Sequence, residues 1–203
     1  MSQPNRHDPG LANGPTDKIS KTKAKKSSSN HAVKEQEAAS FIKQGKLQEA
    51  EDIYRALITA GTSNHTTYGK LAMSCGMQGK LDDCIELLKK SLELNPNYPE
   101  SHHNLGIALK LKGKPAAAIA SFKTALQLQP NLIDAHINLG IALQEQGDLT
   151  GAITSYKTAL QLKPNLIDAH NNLGAALQEQ GDLTAAITSY KTALQLKPNF
   201  IDA

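Results

Sequence analysis

The chain has 203 residues, with aromatics at 4% and no Trp, so the bulky side chains that fill one large globular core are too scarce. Its formal charge of +3 is lopsided: residues 1–30 hold six Lys and Arg against two Asp, a net of +4, which leaves the other 173 residues at −1. No stretch is apolar enough to span a bilayer, the opening MSQPNRHDPG has no apolar run of a secretory signal, and Cys75 and Cys84 are too few for a disulfide framework.

A cytoplasmic protein with both thiols reduced is therefore expected. Residues 1–30, rich in Pro, Gly, Asn, Ser and Lys and nearly free of apolar side chains, cannot bury enough surface to offset the entropy of ordering, and are expected to form a disordered basic tail. Lys21 to Lys26 could touch an anionic surface. A short charge run more often only keeps a segment solvated, so a nucleic-acid partner is disfavoured.

From His31 the chain repeats itself. Gly45, Gly79, Gly113, Gly147 and Gly181 stand 34 residues apart in the contexts QGKL, QGKL, KGKP, QGDL and QGDL. Pro96, Pro130, Pro164 and Pro198 keep the same period, each followed by Asn. A fixed period in this range marks stacked supersecondary units. The units are 31–64, 65–98, 99–132, 133–166 and 167–200, the first degenerate because Thr62 stands where the others close on proline, and residues 201–203 open a sixth.

The fourth unit shows the physics of all. His136, Leu139, Gly140 and Leu143 recur at helical spacing and predict a first helix with one apolar stripe. Gly147 predicts a left-handed stop, and Asp148 a cap for a second helix whose apolar face is Ala152, Ile153, Tyr156, Ala159 and Leu160. Pro115 stands at the matching first turn of the third unit, where proline is tolerated. Pro164 closes the fourth unit, since the residue before a proline is pushed out of helical space. One such hairpin cannot bury its own apolar face, so it must stack on neighbours. Residues 130–163 and 164–197 differ only at Ile137/Asn171, Ile141/Ala175 and Gly151/Ala185, which looks like recent duplication.

The repeated HNLG, AAIASFKTALQLQP and their later copies resemble the tetratricopeptide repeat family. The match is strong over 101–198, fair over 65–96 and weak over 31–64. This resemblance implies an all-α, right-handed solenoid of about five helical hairpins whose first helices line a concave groove for an extended peptide or partner helix.

Mapped onto that groove, Asn104, Asn138 and Asn172 would form a ladder, as in the superhelices of O-GlcNAc transferase, which the repeats resemble in style. Asn is a poor mid-helix residue, so its recurrence has a cost that something must offset. An amide side chain offers donor and acceptor to any peptide backbone. Alternatively, each Asn bonds a neighbouring repeat. The same resemblance places Glu100, Asp134 and Asp168 along one edge, with Glu145 and Glu179 further on. Ile107, Ile141 and Ala175 would be apolar patches. Neutral or basic peptides would suit such a groove. Capture of a C-terminal carboxylate would need lysines where the strong units carry Asn, Ile and Gln.

Other chemistry finds no footing. His102, His136 and His170 fall on separate repeats, which favours packing over a shared metal ion. Cys75 and Cys84 read as core positions. No glycine-rich phosphate loop or nucleophile with a base and an orienting acid is present, so no catalytic residue, metal or cofactor is expected. The expectation is a non-catalytic scaffold for a protein or peptide partner. One alternative is the substrate-recruiting arm of a larger glycosyltransferase. Another is self-association through the last repeat, where Tyr190 and Leu194 lack a polar cap and Phe200 to Ala203 begin a further unit.

Overall fold

The computed structural model describes residues 16–61 and 64–196, with the backbone alone for 16–29. Among them are ten α-helices and no strand: α1 (Thr16–Lys43), α2 (Leu47–Thr59), α3 (His65–Met77), α4 (Leu81–Leu94), α5 (Pro99–Leu111), α6 (Pro115–Leu128), α7 (Ile133–Glu145), α8 (Leu149–Leu162), α9 (Ile167–Gln180) and α10 (Leu183–Leu196). Successive helices pair as hairpins, and each hairpin packs on the next. Because the helix contacts run within a hairpin or between adjacent hairpins, the architecture is an all-α solenoid.

The hairpin turns follow from their glycines. Gly45, Gly79, Gly113, Gly147 and Gly181 have φ between 70° and 93°, the left-handed region. At Gly147 the turn closes with two bonds: the Asp148 amide donates to the Leu143 carbonyl and the Gly147 amide to that of Gln144. Asp148 then caps α8 by accepting from the Gly151 amide at 2.9 Å, and Asp182 does the same for Ala185 at 3.0 Å. Lys46, Lys80 and Lys114 hold the equivalent position without a side-chain cap. Proline starts both α5 and α6.

Within the later hairpins the closest approach is aromatic ring on bare backbone. A Cβ placed on Gly106 would lie 2.5 Å from the Phe122 ring, on Gly140 2.5 Å from Tyr156, and on Gly174 2.7 Å from Tyr190. Around these contacts one apolar cluster runs from Ala118 to Ala186 and a second from Ala38 to Ala108, with Leu109 packed against both. The first two hairpins are also stitched by polar groups. Glu51, 3% exposed, accepts from Lys80 at 2.8 Å, Arg55 at 2.7 Å and Gln78 at 2.9 Å. On the neighbouring seam, Glu35 pairs with Lys70 and accepts from the Thr67 hydroxyl.

The backbone is helical from Thr16, continuous with the packed part of α1. Beyond Pro15 the segment contains no Pro or Gly, and once a helix is nucleated each added residue brings its own hydrogen bond, so extension costs little. Residues 1–15, Thr62, Pro198 and the start of a sixth unit at 201–203 lie outside the described residues. At the other end, Ile187 of α10 is 53% exposed, whereas its equivalents Ile85, Ile119 and Ile153 are 7–8% exposed under the first helix of a following hairpin.

Candidate functional site

The first helices of successive hairpins touch one another directly, α3 with α5, α5 with α7 and α7 with α9, so they form one continuous wall. Asn104, Asn138 and Asn172 occupy the same register on α5, α7 and α9, each half-buried. Their surroundings are not equivalent. The Asn138 amide nitrogen donates to Nε2 of His103 at 3.1 Å. Since an amide nitrogen only donates, His103 is neutral with its proton on Nδ1. Its burial, which holds the pKa below the ordinary histidine value, fits that state. Asn138 is thus a rung tied to the neighbouring repeat, the alternative foreseen for all three. The residue that His103 provides for Asn138 is Gly69 for Asn104 and Ile137 for Asn172, neither of which has a side-chain acceptor.

Glu100, Asp134 and Asp168 are solvent-exposed in the first turns of the same helices. Ile107 and Ile141 are half-buried and pack against the apolar cluster. These sequence-derived residues therefore share one wall.

Four residues on this wall were not singled out from the sequence. Asn104 and Ile107 open onto a cavity of about 250 Å³ between α3 and α5, lined also by Met73, Met77, Leu111 and Gly76. Met77 is 56% and Leu111 62% exposed. The cavity exists partly because Gly76 stands where the later repeats carry Lys110, Gln144 and Gln178. The signal was present at the 34-residue period: the register 77, 111, 145, 179 reads Met, Leu, Glu, Glu.

The remaining candidates are structural. Nε2 of His102, His136 and His170 lies 2.8 to 2.9 Å from the carbonyl of Pro96, Pro130 and Pro164, so each ring donates to the turn that closes the preceding repeat. Cys75 and Cys84 are buried free thiols, and burial raises both pKa values, that of Cys84 to about 11, the reverse of what activates a nucleophile. Among the described residues no three His, Cys, Asp or Glu side chains are placed to hold a metal ion, and no helix is long and apolar enough to cross a membrane.

Comparison with known proteins agrees with this geometry. Tetratricopeptide-repeat models match residues 63–131, 133–154 and 167–200, and a TPR-repeat model matches 144–181. No curated protein matches the chain. The crystal structure of MamA is similar at 26% identity and a TM-score of 0.74, over 82% of this chain and 97% of that one. A MamA fragment from Desulfovibrio magneticus RS-1 has 17% identity and a TM-score of 0.76, over 85% and 97% of the two chains. YrrB, described as a TPR protein with an unusual peptide-binding site, has 18% identity and a TM-score of 0.68, over 83% and 87%. The particular likeness to O-GlcNAc transferase gains no support from these relatives. Stacked hairpins and repeat models together spanning residues 63–200 show that the chain belongs to the tetratricopeptide-repeat family.

Proposed function

We propose that the chain is a non-catalytic cytoplasmic scaffold that holds an extended segment of a protein partner against the wall of first helices, with Asn104 and Asn172 bonding its backbone through their whole amides and Asn138 through the amide oxygen that its bond to His103 leaves unused. The carrying observation is that Asn104 and Asn172 sit half-buried on this wall without the histidine acceptor that occupies Asn138. YrrB, of the same fold, is described as having a peptide-binding site, which supports the reading. The transferase-arm alternative is not favoured by the relatives found.

Selection of a random 12-residue peptide library displayed on phage tests the proposal. Enriched peptides should bind the Asn104→Ala/Asn138→Ala/Asn172→Ala variant at least about tenfold more weakly, as three bonds of about 0.5–1.5 kcal/mol each require. Equal affinity, with the helical circular dichroism unchanged, would reject the ladder.

A further inference from the structure

Along the wall, one register changes character halfway. Met77 and Leu111 on α3 and α5 flank the cavity that Gly76 leaves open. The same positions on α7 and α9 are Glu145 and Glu179. Glu145 lies 3.9 Å from Lys110, at the outer limit of an ion pair. Glu179 accepts from the Gln144 amide at 2.5 Å, a neutral partner that leaves its charge uncompensated. Both carboxylates are exposed, and the first-turn acids Asp134 and Asp168 stand on the same two helices. The wall thus offers a mainly apolar slot at one end and a surplus of exposed carboxylates at the other.

Resting on the groove reading above, we infer that the wall is bipartite: the slot between Met77 and Leu111 takes one large flexible apolar side chain of the partner segment, and Glu145 and Glu179 take a basic side chain further along it. The slot is lined mostly by carbon and sulfur, with the Asn104 amide its one polar side chain, so an apolar group enters it at less cost than a charged one. Its volume of about 250 Å³ accommodates a side chain of the Leu, Met or Phe class rather than a folded element. Charge complementarity selects Lys or Arg at the acidic end and disfavours an acidic segment. Adjacent packed helices are about 8–10 Å apart, so the carboxylates lie roughly 10–20 Å from the slot, a distance that about three to six extended residues cover. The partner's recognition sequence is therefore one apolar anchor and one basic residue separated by that interval.

Parallel selections from the same phage library against four proteins test this. The wild type should enrich peptides with a Leu, Met or Phe three to six positions from a Lys or Arg. Met77→Glu/Leu111→Glu introduces at exposed sites the residues that later repeats already carry, so the fold should persist. It should lose the apolar anchor from its enriched set and bind wild-type-selected peptides at least about tenfold more weakly. Glu145→Gln/Glu179→Gln should lose the basic preference and keep the anchor. Peptides that bind Met77→Glu/Leu111→Glu as well as wild type, while the triple-Asn variant loses them, would overturn the slot and leave the groove standing. An enriched set lacking the basic residue, or carrying it equally in Glu145→Gln/Glu179→Gln, would overturn the charge half. Failure to enrich any peptide on wild type would overturn both this inference and the groove.

Discussion

Changing Phe122 to Ala is expected to destabilise the array by about 3–5 kcal/mol, measured by urea denaturation followed by circular dichroism. Phe122 is fully buried in the middle hairpin, its ring lies on the backbone at Gly106, and it also meets the His103 ring at 5.8 Å between centroids. Truncation therefore empties the contact that joins α5 to α6 and removes the support of a side chain on the recognition wall.

The mechanism makes a sharper statement about Gly106. A Cβ there would sit 2.5 Å from the ring, and backbone on one side and a packed ring on the other leave little room to yield. Gly106→Ala should cost about 1–3 kcal/mol despite replacing glycine inside a helix, where Ala is intrinsically favoured. The second hairpin shows the way out, because it carries Ala72 and Leu88 at the equivalent positions, both buried. In a Phe122→Leu background Gly106→Ala should accordingly be nearly neutral. Strict additivity of the two changes would contradict the ring-on-backbone account.

The second large effect concerns acid. Glu51 is buried, and the Lys80 ammonium above all, together with Arg55 and Gln78, holds its carboxyl down at about 2 against the opposing effect of burial. A group whose folded pKa is depressed contributes its full stability above the ordinary carboxylate value and loses it as pH falls toward the folded value. The window here runs from about pH 5 down to about 2, and the contribution is on the order of 3 kcal/mol. Glu51→Gln should be destabilising by a similar amount at pH 7, while its stability difference from wild type should shrink steadily between pH 5 and 2. Urea midpoints that stay a constant distance apart across that range would show that the carboxylate charge contributes nothing.

Much of this architecture is legible without coordinates because its determinants are local and repeated. The left-handed turn at Gly147, the Asp148 cap and the helix start at Pro115 each depend on a few consecutive residues. The ring contact at Gly140 is half-legible: Gly140 falls on the apolar stripe of its helix, but its aromatic partner Tyr156 sits 16 residues away on another helix. Less local features escaped. The Glu51 cluster lies in the degenerate first repeat, where departures from the pattern read as weakness although they carry a polar seam. His103 decides which Asn is occupied, yet it belongs to the preceding repeat. The Met77 and Leu111 slot is hidden from a reading of the repeat pattern because it lies at a register where the repeats disagree.

The central claim is that recognition uses the wall of first helices. Nuclear magnetic resonance titration of the isotopically labelled protein with a library-selected peptide tests it most directly, by following the side-chain amide signals of Asn104 and Asn172 and the methyl signals of Met73 and Met77. The account predicts saturable shifts at these groups and unmoved signals for Thr154 and Thr188 on the second helices. Shifts concentrated on α8 and α10, with the Asn104 and Met77 signals unchanged, would contradict it.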